Sequence, residues 1–204
     1  MAIGDEFKSS GITQNTPKTI MLGAGTIHKG LTFTPGESGG AGSWNFEKSL
    51  ICATSGGSKL SIVPEFYDVP VDGALVKVKG LTVKVGETAT LEINPIELTP
   101  EILKMAVIGD EAASNTATGY NEITSRARIA AGDYIEKMGY VGKTIEGKPI
   151  IIIFDYALCT SGLSLEGKNK EAAVPAFTFE CFADLSPEAD TLPWHIYFPT
   201  PATM

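Results

Sequence analysis

Gly142-Lys143-Thr144 is the tripeptide in this chain that most resembles nucleotide chemistry, because Gly-Lys-Thr closes the loop that wraps nucleoside phosphates. That loop needs a glycine five places earlier, and position 137 is lysine. The spacing therefore points to a turn between strands. LGAGTIHKG, residues 22–30, repeats the shortfall: it has Gly-x-Gly but no third glycine at the dinucleotide-binding distance, and no strong helix follows. His28 and His195 are far apart, and neither has a second ligand at a recognised metal spacing. No Gly-x-Ser-x-Gly elbow offers a serine nucleophile. Cys159, in DYALCTSG, lacks an evident base, and Cys52 and Cys181 read with it as buried small apolar groups. Asp133, Glu136 and Asp155 would need the fold to bring them together before acid/base work is conceivable. Arg126 and Arg128 form a short basic run soon balanced by Asp133 and Glu136, which reads as a solvated or intersubunit loop.

The composition belongs to a folded shape. The chain has 204 residues, 43% hydrophobic and 20% charged, which is long enough for one large domain with a real core. Its 22 glycines and 12 prolines imply many turns and few long helices. The formal charge of −8 gives no general attraction for nucleic-acid phosphates. No targeting segment or Asn-x-Ser/Thr glycosylation site is evident, and the apolar run at 150–154 is far too short to cross a membrane.

Strand periodicity dominates the chain. Residues 1–19 are polar and read as a flexible arm, and 20–204 as a single β-rich domain with long loops at about 34–43 and 110–133. Within 75–93, Val83 and Val85 alternate with Thr82 and Lys84, and Leu91 and Ile93 with Thr90 and Glu92. This predicts a β-hairpin turning at Gly86-Glu87, with Val83, Val85, Leu91 and Ile93 in its buried row and Lys84 opposite Glu92. On that reading Val83→Asp impairs folding. Thr99-Pro100-Glu101 supplies a cap, a first-turn proline and an acid, so one short helix is expected over about 100–108, ending near Gly109.

Further strands are expected at 134–141 and 148–154, joined by a turn around Gly147. The run Ile150–Phe154 lacks alternation, as a strand covered on both faces would. LSLEGKNKEAAVPAFTFECFAD, residues 163–184, reads as two strands about a charged turn, the second a partner for 150–154. Phe177, Phe179 and Cys181 share one face of that second strand. Phe182 lies on the other and needs a second layer or a partner to cover it. The aromatic strand WHIYF ends at prolines, which stop sheet propagation.

The order of several segments resembles the major tail tube proteins of long-tailed bacteriophages, of the type found in phages and prophages of Gram-positive bacteria. The resemblance lies in KTIMLGAGTIHKGL, ATSGGSKLSIVPEF and VPVDGALVKVKGLTVKVGETATLEINPIELTPEIL. It continues through GKPIIIIFDYALCTSG, LSLEGKNKEAAVPAFTFECFAD and LPWHIYFP. It implies a mainly β, sandwich- or barrel-like tail tube fold with one flanking helix. It also implies rings, of six copies in that family, stacked into a tube around a lumen through which the genome is delivered. The partners implied are further copies of the chain, a tape-measure protein, and tail-tip and terminator proteins. Double-stranded DNA would pass in transit, without sequence-specific binding. The location implied is the virion tail, assembled in the host bacterial cytoplasm. No catalytic residue, cofactor, metal or membrane insertion is implied.

On this reading Phe182, Trp194, Tyr197, Phe198, Arg126 and Arg128 are the assembly candidates, and an acidic lumen would repel DNA unless Lys77, Lys79 and Lys84 line it unpaired. Two other readings remain open. One is the inner tube of a contractile injection device. The other is a β-sandwich carbohydrate-binding virion module, whose platform would be coplanar exposed aromatics drawn from Trp44, Trp194, Tyr197 and Phe198.

Overall fold

A computed structural model describes residues 11–37, 40, 42–185 and 190–199. Most of the predicted arm, residues 1–10, lies outside the described residues. Its remainder carries one helical turn, α1 (Thr16–Thr19), none of whose residues is buried. Then come β1 (Met21–His28), β2 (Phe33–Thr34), β3 (Ser43–Trp44), a second helical turn α2 (Phe46–Ser49), β4 (Leu50–Cys52), β5 (Thr54–Asp68) and β6 (Thr82–Pro95). The chain continues with helix α3 (Pro100–Val107), β7 (Gly109–Ala113), β8 (Asn121–Ser125), a 3-10 turn at Ala131–Asp133, β9 (Ile135–Thr144), β10 (Pro149–Cys159), β11 (Phe177–Cys181) and β12 (Trp194–Tyr197).

The protein is mostly β, but the expected sandwich- or barrel-like closure is not what forms. One eight-stranded sheet runs in the open order β4-β1-β9-β10-β11-β6-β5, with β12 paired to β10 beside that path. β4 and β5 stand at opposite ends of the order, although only Ala53 separates them in sequence. The sheet therefore bends until its margins meet through one residue, and no ladder joins them. β2–β3 and β7–β8 are separate two-stranded sheets.

β9 and β10 make the centre. The Gly-Lys-Thr segment is the end of β9 and the turn follows it: the Thr144 amide donates to the Lys148 carbonyl at 2.8 Å, and the Lys148 amide to Thr144 Oγ1 at 3.2 Å. Gly147, at φ 83°, takes the left-handed position that this reversal needs. Residues Ile150–Phe154 are buried on both faces, as the absence of alternation predicts. Ile152 and Phe154 join the main core with Ile27, Tyr140, Phe177 and Phe179. Ile151 and Ile153 pack with Leu31 on the other side, backed by Trp44 and Phe46. Leu31 approaches β9 so closely that a Cβ on Gly139 would stand 2.5 Å from its side chain.

Helix α3 covers the main core with Ile102 and Ala106. Thr99 caps it by accepting the Ile102 amide at 3.3 Å, and the helix ends where Ile108 turns left-handed at φ 51°.

Several predicted elements are rearranged. Gly86-Glu87 is not a turn: β6 runs straight through it, and its hairpin partner is β5. Residues 69–81 are therefore the connection between β5 and β6 and hold no strand. Glu92 pairs with Lys59 at 2.9 Å, while Lys84 pairs with Glu87. The expected loop 110–133 contains the β7–β8 hairpin. Residues 163–166 form no strand. β11 pairs with β10 at Ala157–Cys159, and β12, not β11, covers the edge at Ile151–Phe154.

Candidate assembly surface

The side chains with chemical potential are dispersed and occupied. His28 is buried between hydroxyls, with Nδ1 2.9 Å from Ser49 Oγ and Nε2 2.8 Å from Thr26 Oγ1. Ser49 donates its own proton to the Asn45 carbonyl at 3.0 Å, so Nδ1–H donates to Ser49 and Nε2 accepts from Thr26. Burial holds the imidazole pKa below its ordinary value, partly opposed by the Phe46 backbone. This is a satisfied neutral core histidine.

His195 is exposed on β12, with Nε2 3.5 Å from Asp155 Oδ1, and Lys137 approaches the same oxygen at 2.8 Å. The three cysteines are free and buried, and burial, reinforced by Asp155, Glu87 and Glu180, raises the Cys181 thiol to about 12. Asp133 is committed to Arg126, and Asp155 to Lys137 and His195. Among the described residues no cluster of three or more His, Cys, Asp or Glu could hold a metal ion, and no helix is long and apolar enough to cross a membrane.

The outer end of the β5–β6 hairpin leaves several large apolar residues uncovered. β11 pairs with β6 only from Thr90 to Ile93, so Thr82–Ala89 have β5 as their one ladder partner. Burial follows that boundary. Ala89, Leu91 and Ile93 are buried, whereas Val83 and Val85 are 44% and 56% exposed. The buried row expected to include all four of Val83, Val85, Leu91 and Ile93 therefore stops at Ala89.

A bulge contributes to the break. Glu65 lies opposite Gly86 but Phe66 opposite Lys84, so Val85 is an extra residue that resets the alternation. Across the ribbon Val63, Phe66 and Tyr67 are also exposed, and Leu75 and Val76 in the connection are 96% and 77% exposed. A cleft of about 340 Å³ opens there between Val71, Leu75, Val76 and Leu81. Two of the ribbon's lysines are neutralised locally, Lys77 by Asp68 at 2.7 Å and Lys84 by Glu87, whereas Lys79 has no ion pair among the described residues.

The six residues singled out as assembly candidates divide. Phe182 is half-buried, its ring edge-on to Tyr134 at 5.6 Å, so its second layer comes from its own chain. Trp194 is half-buried and its indole N–H donates to Glu87 Oε1 at 2.6 Å. Arg126 is consumed by Asp110 and Asp133, and the Arg128 carbonyl accepts from Arg126 Nε at 3.1 Å. Tyr197 and Phe198 are exposed. Tyr197 meets Trp44 at 5.1 Å with the rings inclined by 65°, and Phe33 meets Trp44 at 54°. These inclined rings do not make the flat platform that stacks on a sugar.

The outer ribbon was missed from sequence because its valine row has the same period as a core strand. Leu75, Val76 and Val78, apolar residues in a connection beside Gly73 and Gly80, were the signal that could have marked it. No family model matches the chain, and no curated protein matches it.

Proposed function

We propose that this chain is a structural subunit that assembles with copies of itself, as a tail tube protein of a long-tailed phage does. The observation that carries the reading is the outer β5–β6 ribbon. Its seven exposed apolar residues Val63, Phe66, Tyr67, Leu75, Val76, Val83 and Val85 are left uncovered by their own chain, on both faces of the ribbon and on its connection, and exposed apolar residues gathered in this way mark an interaction site. The outer edges of β4 and β5 are also open, and open strand edges favour pairing with another chain.

In a stacked assembly these surfaces bury against neighbouring copies, and the resemblance in segment order supplies the tube as the product. The tape-measure, tip and terminator proteins are then its assembly partners, the virion tail its location and genome delivery its role. With Lys77 and Lys84 paired and Lys79 left over, the formal charge of −8 per copy still disfavours DNA adsorption during passage.

The test is negative-stain microscopy with sedimentation over a range of protein and salt concentrations. Rings or tubes of uniform width are expected. The double variant Leu75→Asp/Val76→Asp is expected to stay monomeric with an unchanged melting temperature. A wild-type chain that remains a monodisperse monomer throughout would overturn the reading. Retention of duplex DNA by assembled tubes at low salt would remove its electrostatic part.

A further inference from the structure

The β7–β8 hairpin stands outside the main sheet, as β2–β3 does. Of its strand residues only Gly109 is buried, with Ile123 half-buried, and it pairs with no other strand. An isolated two-stranded hairpin is marginal in water, so something outside its ladder must keep it ordered.

Helix α3 approaches both of its strands, and a polar anchor closes its neck. The Arg126 amide donates to the Ile108 carbonyl at 3.3 Å, closing the base. The Arg126 guanidinium then makes three kinds of contact. Nη1 donates to Asp110 Oδ1 on β7 at 2.9 Å, Nε donates to the Arg128 carbonyl at 3.1 Å, and Nη2 donates to both carboxylate oxygens of Asp133.

The two carboxylates are unequally placed. Asp133 has a side chain only 10% exposed and also accepts the Ala130 amide at 2.7 Å, so it is fixed to the segment entering β9. The Asp110 side chain is 62% exposed and belongs to the hairpin. One end of the bridge is rooted in the body and the other can leave.

We infer that β7–β8 is a conditionally ordered arm and that Arg126 is the pin that fastens it to the body of the domain. The pin draws its strength from a planar guanidinium that serves several acceptors at once, which a lysine ammonium at that position cannot reproduce. The surrounding charges act on the same junction. Lys104 on α3 faces Asp133, and Lys29, Glu101, Glu111 and Tyr134 line the adjoining cleft of about 340 Å³.

Burial pushes the Asp133 carboxyl up, but the Ala130 amide, Arg126 and Lys104 outweigh it and hold the pKa below the ordinary value. The stabilisation from Asp133 is therefore complete above the ordinary carboxylate pKa, and is lost as pH falls through the depressed one. At neutral pH the arm stays fastened. None of this depends on whether the chain assembles into a tube.

Hydrogen exchange read by mass spectrometry on the intact chain tests the pin. In Arg126→Gln, amides across 109–125 are expected to exchange about tenfold faster or more, the scale of a lost charge-assisted hydrogen bond, while 150–159 stays as in wild type. Asp110→Asn leaves Asp133, its Ala130 bond and the 3-10 turn intact, and is expected to accelerate the arm alone by a smaller factor. Unchanged protection of 109–125 in Arg126→Gln overturns the inference, as does wild-type exchange across 109–125 at the rate of a free peptide. If Arg126→Gln loosens 150–159 as well, Asp110→Asn decides: arm-only acceleration supports the pin, and none overturns it.

Discussion

β10 and the outer half of β6 are both rich in β-branched residues, and they end in opposite surroundings. Ile150–Phe154 has β9 on one edge and β12 on the other, α3 and β6 contributing to the core on one face, and Leu31, Trp44 and Phe46 on the other. Val83 and Val85 have β5 on one edge, and both are exposed. The difference teaches that an apolar row records what a strand is suited to lie against, and not whether its own chain supplies that cover. In β10 the cover is intramolecular. In the outer ribbon it must come from outside, and that is the physical basis of the assembly proposal.

The largest expected effect separates the two regions directly. Phe154 is 1% exposed at the centre of the main core, so Phe154→Ala should cost about 3–5 kcal/mol in a urea titration, the usual range for losing a buried ring and leaving a cavity. Val83→Asp should change the monomer's stability by no more than about 0.5 kcal/mol, as surface substitutions generally do, while abolishing assembly. This reverses the expectation from periodicity alone, under which Val83→Asp impairs folding. If Val83→Asp destabilises the monomer as much as Phe154→Ala, the ribbon is covered by its own chain in solution and the comparison fails.

How much of this was legible follows from the range of the interactions concerned. Thr99-Pro100 marks the start of α3 because capping is decided within one helical turn. The Gly147 reversal and the two-faced burial of Ile150–Phe154 are similarly carried by nearby residues and local pattern. The β5–β6 pairing is not, because either a turn at Gly86-Glu87 or a longer connection at 69–81 satisfies the same valine alternation. Nor is the bulge at Val85, which becomes visible only as a mismatch with β5. The open sheet escaped notice for the same reason: strand order depends on contacts such as β1 with β9, between residues more than a hundred positions apart. Arg126 read as a solvated or intersubunit residue because its acceptors come from β7 and from the turn before β9, neither marked by spacing.

A smaller effect probes the covered half through pH. Burial lowers the His28 pKa from its ordinary 6.5, so the folded state keeps the ring neutral while the unfolded chain takes up a proton near that value. The unfolded state then binds more protons, and stability rises with pH across the window between the lowered pKa and 6.5. The contribution is complete above the window and is lost as pH falls through it. His28→Gln should flatten this slope when unfolding free energy is measured from about pH 5 to 7. His195→Gln, at an exposed position on β12, serves as the control substitution. An unchanged slope in His28→Gln would mean that burial does not set the ring's protonation, against its role as acceptor for Thr26.

The smallest effect asks whether charge pairs distinguish the two halves of the hairpin as apolar cover does. Lys59–Glu92 lies where β11 still flanks β6, yet its side chains are 68% and 43% exposed, so water screens the pair on the covered half too. Lys59→Met should therefore cost no more than about 0.5 kcal/mol, and a double-mutant cycle with Glu92→Gln should return a coupling of about 0.2–1 kcal/mol that shrinks with added salt. Because the pair sits on the outward face of a strand whose inward face holds Leu91 and Ile93, its removal leaves the buried row untouched. A coupling well above that range, insensitive to salt, would show that the pair is desolvated. A second surface would then lie over the covered half of the hairpin, and exposed apolar area would no longer be what sets the outer ribbon apart.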